Sequence, residues 1–87
     1  MSATVRLPRV LASVVGVDLV HEVDGATVGE ALRALVASRP ALGHHLVDES
    51  GALRRHVSVF VDGTQADLDT SVGESAEIHV LQAVSGG

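Results

Sequence analysis

Asp24-Gly25-Ala26-Thr27-Val28-Gly29-Glu30-Ala31-Leu32 is the stretch that decides the fold. Asp24-Gly25 is a turn signal that closes whatever precedes it. Thr27, followed three residues later by Glu30, forms a capping box, in which the threonine hydroxyl and the glutamate carboxylate satisfy opposing backbone N–H groups at a helix start. Val28, Ala31, Leu32, Leu35 and Val36 then recur at helical spacing, with Glu30, Arg33 and Arg39 outside the stripe. The helix is expected to run to about Ser38 and to stop at Pro40. A single long helix with one apolar face needs a surface to cover it, and the flanking sequence supplies strands.

Upstream, Thr4-Val5-Arg6-Leu7 alternates and reads as a first strand ended by Pro8. Arg9 to Val15 carries Val10, Leu11, Val14 and Val15 at helical spacing, behind a proline suited to a first-turn position and ahead of Gly16 as a stop. Val17 to Val23 reads as a second strand with Leu19, His21 and Val23 on one face, and Val20 breaks that alternation in the manner of a bulge. Downstream, Ala41 to Leu46 is expected to form a short helical turn, and Asp48-Glu49-Ser50-Gly51 a polar loop. Val57, Val59 and Val61 alternate with Ser58 and Phe60 in a third strand closed by Asp62-Gly63, its valine face packing on the helix. Gln65 to Val72 is weakly patterned, and Glu77 to Leu81 is the last strand, with Ile78 and Val80 inward.

The order is strand, strand, long helix, strand, short element, strand. Two hairpin-like pairs around one helix make an α+β fold of the β-grasp type, a mixed sheet of about four to five strands packed on one main helix. Connection rules allow the first and last strands to lie side by side at the sheet centre, with the helix on one face and the other face open. Residues 1–81 are expected to form this domain, and residues 82–87 a flexible tail.

Composition narrows the function. The chain has 87 residues, 46% of them hydrophobic but only one aromatic, Phe60, so a single core of Val, Leu, Ile and Ala is expected. The net charge is −5 and the six arginines form no basic run, which argues against a nucleic-acid partner. No stretch approaches the roughly 18 apolar residues of a membrane span and no signal pattern opens the sequence, so no membrane partner and a cytoplasmic location are expected. Cysteine is absent, which removes disulfides, thiol catalysis and any persulfide on a side chain. Lysine is absent too. That is consistent with arginine replacing lysine on the surface, and it also means that an activated carboxyl group would meet no internal lysine.

The sequence finishes Gln82-Ala83-Val84-Ser85-Gly86-Gly87. Two residues without Cβ fit a channel too narrow for any side chain and leave a terminal carboxylate sterically open. By chance alone, roughly one chain in two hundred would finish in two glycines. His44-His45 has no third ligand nearby, and His21, His56 and His79 lack ligand spacing, so no metal site is expected.

With Val5-Arg6-Leu7-Pro8, the Asp24 to Leu32 stretch, Val57-Ser58-Val59-Phe60-Val61-Asp62-Gly63 and Gln82-Ala83-Val84-Ser85-Gly86-Gly87, the chain resembles the MoaD/ThiS family of ubiquitin-like sulfur carriers over nearly its whole length. The loop from Asp48 to Arg55 makes it more similar to the molybdopterin synthase small subunit and the actinobacterial cysteine-pathway carrier than to the shorter thiamine carrier. It departs from the family pattern at Gln82, where proline is common, and at Ser58 and Asp62, which replace asparagines.

The resemblance implies that the chain is a protein co-substrate and not an enzyme. An E1-like adenylating enzyme, using its own ATP and Mg, would take the tail Ala83, Val84, Ser85, Gly86 and Gly87 into a channel and adenylate Gly87. Sulfide or a persulfide would then displace AMP and leave a thiocarboxylate. The sulfur would pass to a downstream enzyme: the molybdopterin synthase large subunit, a cysteine synthase or a thiosugar-type synthase. No cofactor would be bound by this chain.

Strand alternation places Ser58, Phe60, His79 and Leu81 on the face away from the helix, where a large exposed apolar residue suggests a partner site. The competing reading of Phe60 is a side chain covered by residues 64–72. Two other functions fit the same features: a ubiquitin-like modifier joined to lysines of other proteins through Gly87, and a non-covalent β-grasp interaction domain with an inert tail.

Overall fold

The computed structural model describes residues 2–82; of the expected tail, residues 82–87, Gln82 is instead the last residue of a strand, and residues 83–87 lie outside the described residues. Strand β1 (Ser2–Arg6) leads through Pro8 into helix α1 (Arg9–Val15), followed by β2 (Val20–Asp24) and the long helix α2 (Val28–Ser38). A 3₁₀ turn, Pro40–Leu42, and helix α3 (Gly43–Leu46) precede β3 (Val57–Val61), β4 (Thr64–Ala66) and β5 (Ala76–Gln82). The five strands form one sheet in the order β2-β1-β5-β3-β4. β1 and β5 are parallel neighbours at the centre, as expected, and all other pairings are antiparallel. β2 and β3 therefore run parallel to each other, and α2 is the crossover that carries the chain back between them. This is the ubiquitin-like β-grasp.

The capping box is present, with one difference. The Glu30 N–H donates to Thr27 Oγ1 at 3.2 Å, but Glu30 Oε1 accepts from the N–H of Ala26, one residue before the cap, at 3.1 Å. The helix start has a second support that the sequence pattern did not reveal. The Val28 and Gly29 N–H groups, which a helix leaves without internal partners, donate to the carbonyls of Thr70 and Leu68 at 3.0 and 2.9 Å. The weakly patterned segment after β4 thus caps α2.

Val28, Ala31, Leu32 and Leu35 of α2 pack with Val5, Val57, Val59, Ile78 and Val80 of the sheet, and Leu42 and Leu46 close the core near the end of α2. No buried polar or charged side chain interrupts these contacts among the described residues.

Five expectations shift. Pro8 is the N-cap of α1 and not a first-turn residue, and its carbonyl accepts from Ala12 at 3.0 Å. In α1 it is Leu11 and Ala12 that are buried, while Val10 and Val14 face outward. β2 starts at Val20 and not Val17, because the N–H groups of Gly16 and Val17 both donate to Ala12 O and belong to the end of α1. No bulge is needed at Val20, which pairs with Arg6 in regular register. Finally, Thr64–Ala66 is a true edge strand, folded onto β3 by Asp62 and Gly63 at φ 49° and 88°, the pair of positive φ values a two-residue hairpin turn requires.

Candidate functional site

Cross-strand register builds the open face row by row. Partners in a ladder point to the same side of the sheet, so the pairs Val20–Arg6, Arg6–His79, His79–Phe60 and Phe60–Gln65 make one row across all five strands. Next to it on the side toward Gln82 stands the pair Ser58–Leu81. All four residues expected on this face, Ser58, Phe60, His79 and Leu81, lie there as two facing pairs, opposite the buried Val57, Val59, Ile78 and Val80. Leu81 is the exposed one at 48%, whereas Phe60 is half-buried between His79 and Gln65. Of the segment 64–72 expected to compete for Phe60, Gln65 flanks Phe60 on this face, while Leu68 and Thr70 cap α2 and Leu68 packs against the core in the helix layer.

The same face carries a charge cluster that the sequence reading missed. Arg6 Nε donates to Glu77 Oε1 at 2.8 Å, and His79 Nε2 stands 3.3 Å from the same oxygen. The hydrogen bond from Arg6, then its positive charge, and then the contact with His79 hold the Glu77 carboxyl below the usual glutamate range. The signal was available in the sequence: Glu77 has the strand parity of His79, and Arg6 joins them once β1 and β5 are set in parallel register. The Asp62 carboxylate accepts the Glu77 N–H at 3.0 Å, and the Asp62 N–H donates to Glu77 O at 2.9 Å, so the β3–β4 turn is fastened to the central strand.

On the helix layer, a cavity of about 350 Å³ is lined by Gly29, Leu32, Arg33, Val36, Val47 and Leu68 among others. Thr27 and Asp69 also line it, and the Thr27 hydroxyl is engaged in capping α2 by accepting from the Glu30 N–H. His44 and His45 sit in α3, where the His44 carbonyl accepts from Arg54 Nε at 2.6 Å, and no group of three or more possible metal ligands gathers among the described residues. No helix among them is long and apolar enough to cross a membrane. The tail residues Ala83, Val84, Ser85, Gly86 and Gly87 lie outside the described residues, but the structure locates their root: Gln82, paired with Val57 at the end of the sheet that also holds the C-terminus of β1.

A family model described as the ThiS family matches residues 5–87, nearly the whole chain. The chain belongs to the ThiS family. This chain is 40% identical over 79 residues to small archaeal modifier protein 1 of Haloferax volcanii, covering 88% of this chain and 91% of the relative. The crystal structure of that protein superimposes with a TM-score of 0.88 at 36% identity, covering all of both chains. A chain in the Amycolatopsis orientalis BexX/CysO complex matches with a TM-score of 0.85 at 28% identity, over 98% of this chain and 99% of the other. Mycobacterium tuberculosis CysO matches with a TM-score of 0.82 at 26% identity, over 94% and 99%. The ThiS/MoaD family consists of small ubiquitin-like sulfur carriers and modifiers and is not a family of catalytic enzymes. The BexX/CysO structure shows that a member assembles with a partner protein.

Proposed function

We propose that this chain is a sulfur carrier whose Gly87 carboxylate is activated and converted to a thiocarboxylate. The observation that carries the reading is that the family match runs through residue 87 and so includes Gly86-Gly87. In the first step a Gly87 carboxylate oxygen attacks the α-phosphate of MgATP held by an E1-like partner, forming an acyl-adenylate and releasing pyrophosphate. A carboxylate acylates poorly until it gains a good leaving group, so this splits one hard exchange into two easier steps. Sulfide then attacks the acyl carbon and AMP departs, leaving the thiocarboxylate; a protein persulfide would instead give an acyl disulfide, from which a second thiol of the partner frees the thiocarboxylate by thiol–disulfide exchange.

The chain itself supplies the handle. It carries no cysteine to intercept the acyl group and no lysine to capture it. ATP and magnesium belong to the partner, and Ser58, Phe60, His79 and Leu81 form the face that partner reads. The acceptor of the sulfur is a biosynthetic enzyme of the molybdopterin, cysteine or thiosugar-type class, in a cytoplasmic setting.

Intact-mass spectrometry after incubation with an E1-like enzyme, MgATP and sulfide tests this. One oxygen is replaced by one sulfur at Gly87, and the truncation lacking Gly86-Gly87 does not change. If neither adenylate nor thiocarboxylate forms with several such enzymes, the carrier reading is rejected in favour of a binding domain. Phe60→Asp weakens association with the enzyme and leaves the fold intact; loss of folding would remove Phe60 from the recognition face. The name of the Haloferax relative, a modifier, supports a second reading in which the activated glycine is attacked by lysines of other proteins. Gly-Gly remnants on such lysines would favour it.

A further inference from the structure

Among the described residues, five large hydrophobic side chains are exposed: Val10, Val14, Leu19, Val20 and Leu81. Four of them come from residues 10–20 and the fifth, Leu81, from the far end of the chain, and single exposed apolar residues are ordinary. Their placement is not ordinary. α1 follows the end of β1, Leu19 and Val20 begin the antiparallel neighbour of β1, and Leu81 is near the end of β5, which runs parallel to β1. All five therefore gather at one end of the sheet, the end at which Gln82 hands over to residues 83–87. Val10 and Val14, four residues apart on one face of α1, are 71% and 70% exposed while their neighbours Leu11 and Ala12 are buried. Arg9, at the start of the same helix, is exposed and has no carboxylate within 4.0 Å among the described residues.

We propose that the outer face of α1, with Leu19, is a second docking surface for the protein that takes the tail, adjoining the open sheet face at Val20 and extending the partner's footprint beyond it. This rests on the reading that Gly87 is the residue acylated. Five residues span at most about 18 Å, so a partner that holds Gly87 in its active site has its channel mouth within that distance of Gln82. Its body then lies against the end of the molecule where α1 stands. Exposed apolar side chains gathered at one end of a molecule mark an interaction site, and these stand at the end of the sheet from which residues 83–87 leave. The partner surface that fits it is an apolar depression with carboxylates at its rim, facing Val10 and Val14 and pairing with Arg9.

The test uses the full chain and an E1-like adenylating enzyme that thiocarboxylates the wild type in the mass assay. Val10→Ser/Val14→Ser binds that enzyme about tenfold or more weakly, with thermal unfolding unchanged. Arg9→Glu also weakens binding, and Val14→Leu, which keeps the apolar area, binds like wild type. Wild type remains monomeric at high micromolar concentration. Affinity of the double variant within twofold of wild type overturns the inference and leaves the carrier reading standing. So does wild-type self-association that the double variant abolishes, since a second copy would then be the occupant. If no enzyme thiocarboxylates the wild type, the carrier reading fails and takes this inference with it.

Discussion

A Cβ built at Gly25 would stand 2.5 Å from the backbone nitrogen of Ala31 and 2.9 Å from its Cα. The loop between β2 and α2 passes so close to the helix that no side chain fits, and the obstructing atoms are backbone that cannot rotate away. Gly51 has the opposite problem: its surroundings are open, but its φ is +87°. Gly25→Ala is expected to cost about 3 kcal/mol as overpacking, and Gly51→Ala about 1 kcal/mol as left-handed backbone, in urea unfolding. A smaller loss at Gly25 than at Gly51 would contradict the packing argument. Asp24-Gly25 was legible as a turn; the reason for its glycine was not, because the close approach is made by residues that local sequence does not bring together. Glu77 shows the same limit. Its pKa is lowered in the folded protein, chiefly by the hydrogen bond and charge of Arg6 and secondarily by His79, so it binds a proton more readily when unfolded. The stability it contributes is fully present above the ordinary glutamate pKa and is lost as pH falls through the lower folded value. The difference in unfolding midpoint between wild type and Glu77→Gln should shrink as acid is added through that window, and a constant difference would refute the ion-pair account.

At the scale of elements, α2 was the most legible part of the chain and β4 the least. The capping box and apolar stripe of α2 are local, and the helix spans Val28–Ser38 as its pattern requires. β4 has three residues and one half-buried side chain, Ala66, so it exists because Asp62-Gly63 folds it onto β3 and not because its own pattern demands a strand. The segment beyond it has Asp67 Oδ1 accepting from the Asp69 N–H at 2.9 Å, a local turn that presents the carbonyls of Leu68 and Thr70 to the helix. First-turn helix amides usually exchange fast because nothing inside the helix accepts them. Here the amides of Val28 and Gly29 are expected to be protected in hydrogen-exchange NMR, and to lose protection in Leu68→Pro, which disturbs the turn from outside the helix. Thr27→Ala should instead cost about 1 kcal/mol and deprotect Glu30. Fast exchange at Val28 and Gly29 in the wild type would show that the segment does not cap the helix.

Over the whole molecule, the fold sorts charges that look scattered in the sequence. Asp24, Glu30, Asp62, Asp69 and Glu74 fall at the end where α2 begins and β5 starts, with Arg33 the arginine beside them, while Arg9, Arg39, Arg54 and Arg55 fall toward the end where β5 finishes, Arg54 beside Asp48 and Glu49. The arginines form no run along the chain, so their asymmetry emerges only when β2 and β3 are known to be parallel and α2 to be the crossover. The net charge of −5 is thus concentrated, and self-repulsion at the acidic end opposes the folded state. Glu74 is exposed and its side chain enters no hydrogen bond or ion pair among the described residues, so reversing its charge removes repulsion without breaking a contact. Glu74→Lys is expected to stabilise by about 0.5 kcal/mol at low ionic strength, which for a domain of this size raises the melting temperature by about 2–4 °C. In 1 M salt, where the screening length falls to about 3 Å, the gain should disappear. A rise that survives high salt would assign the effect to local propensity, and no rise at low salt would mean that the carboxylates at this end are already screened by solvent.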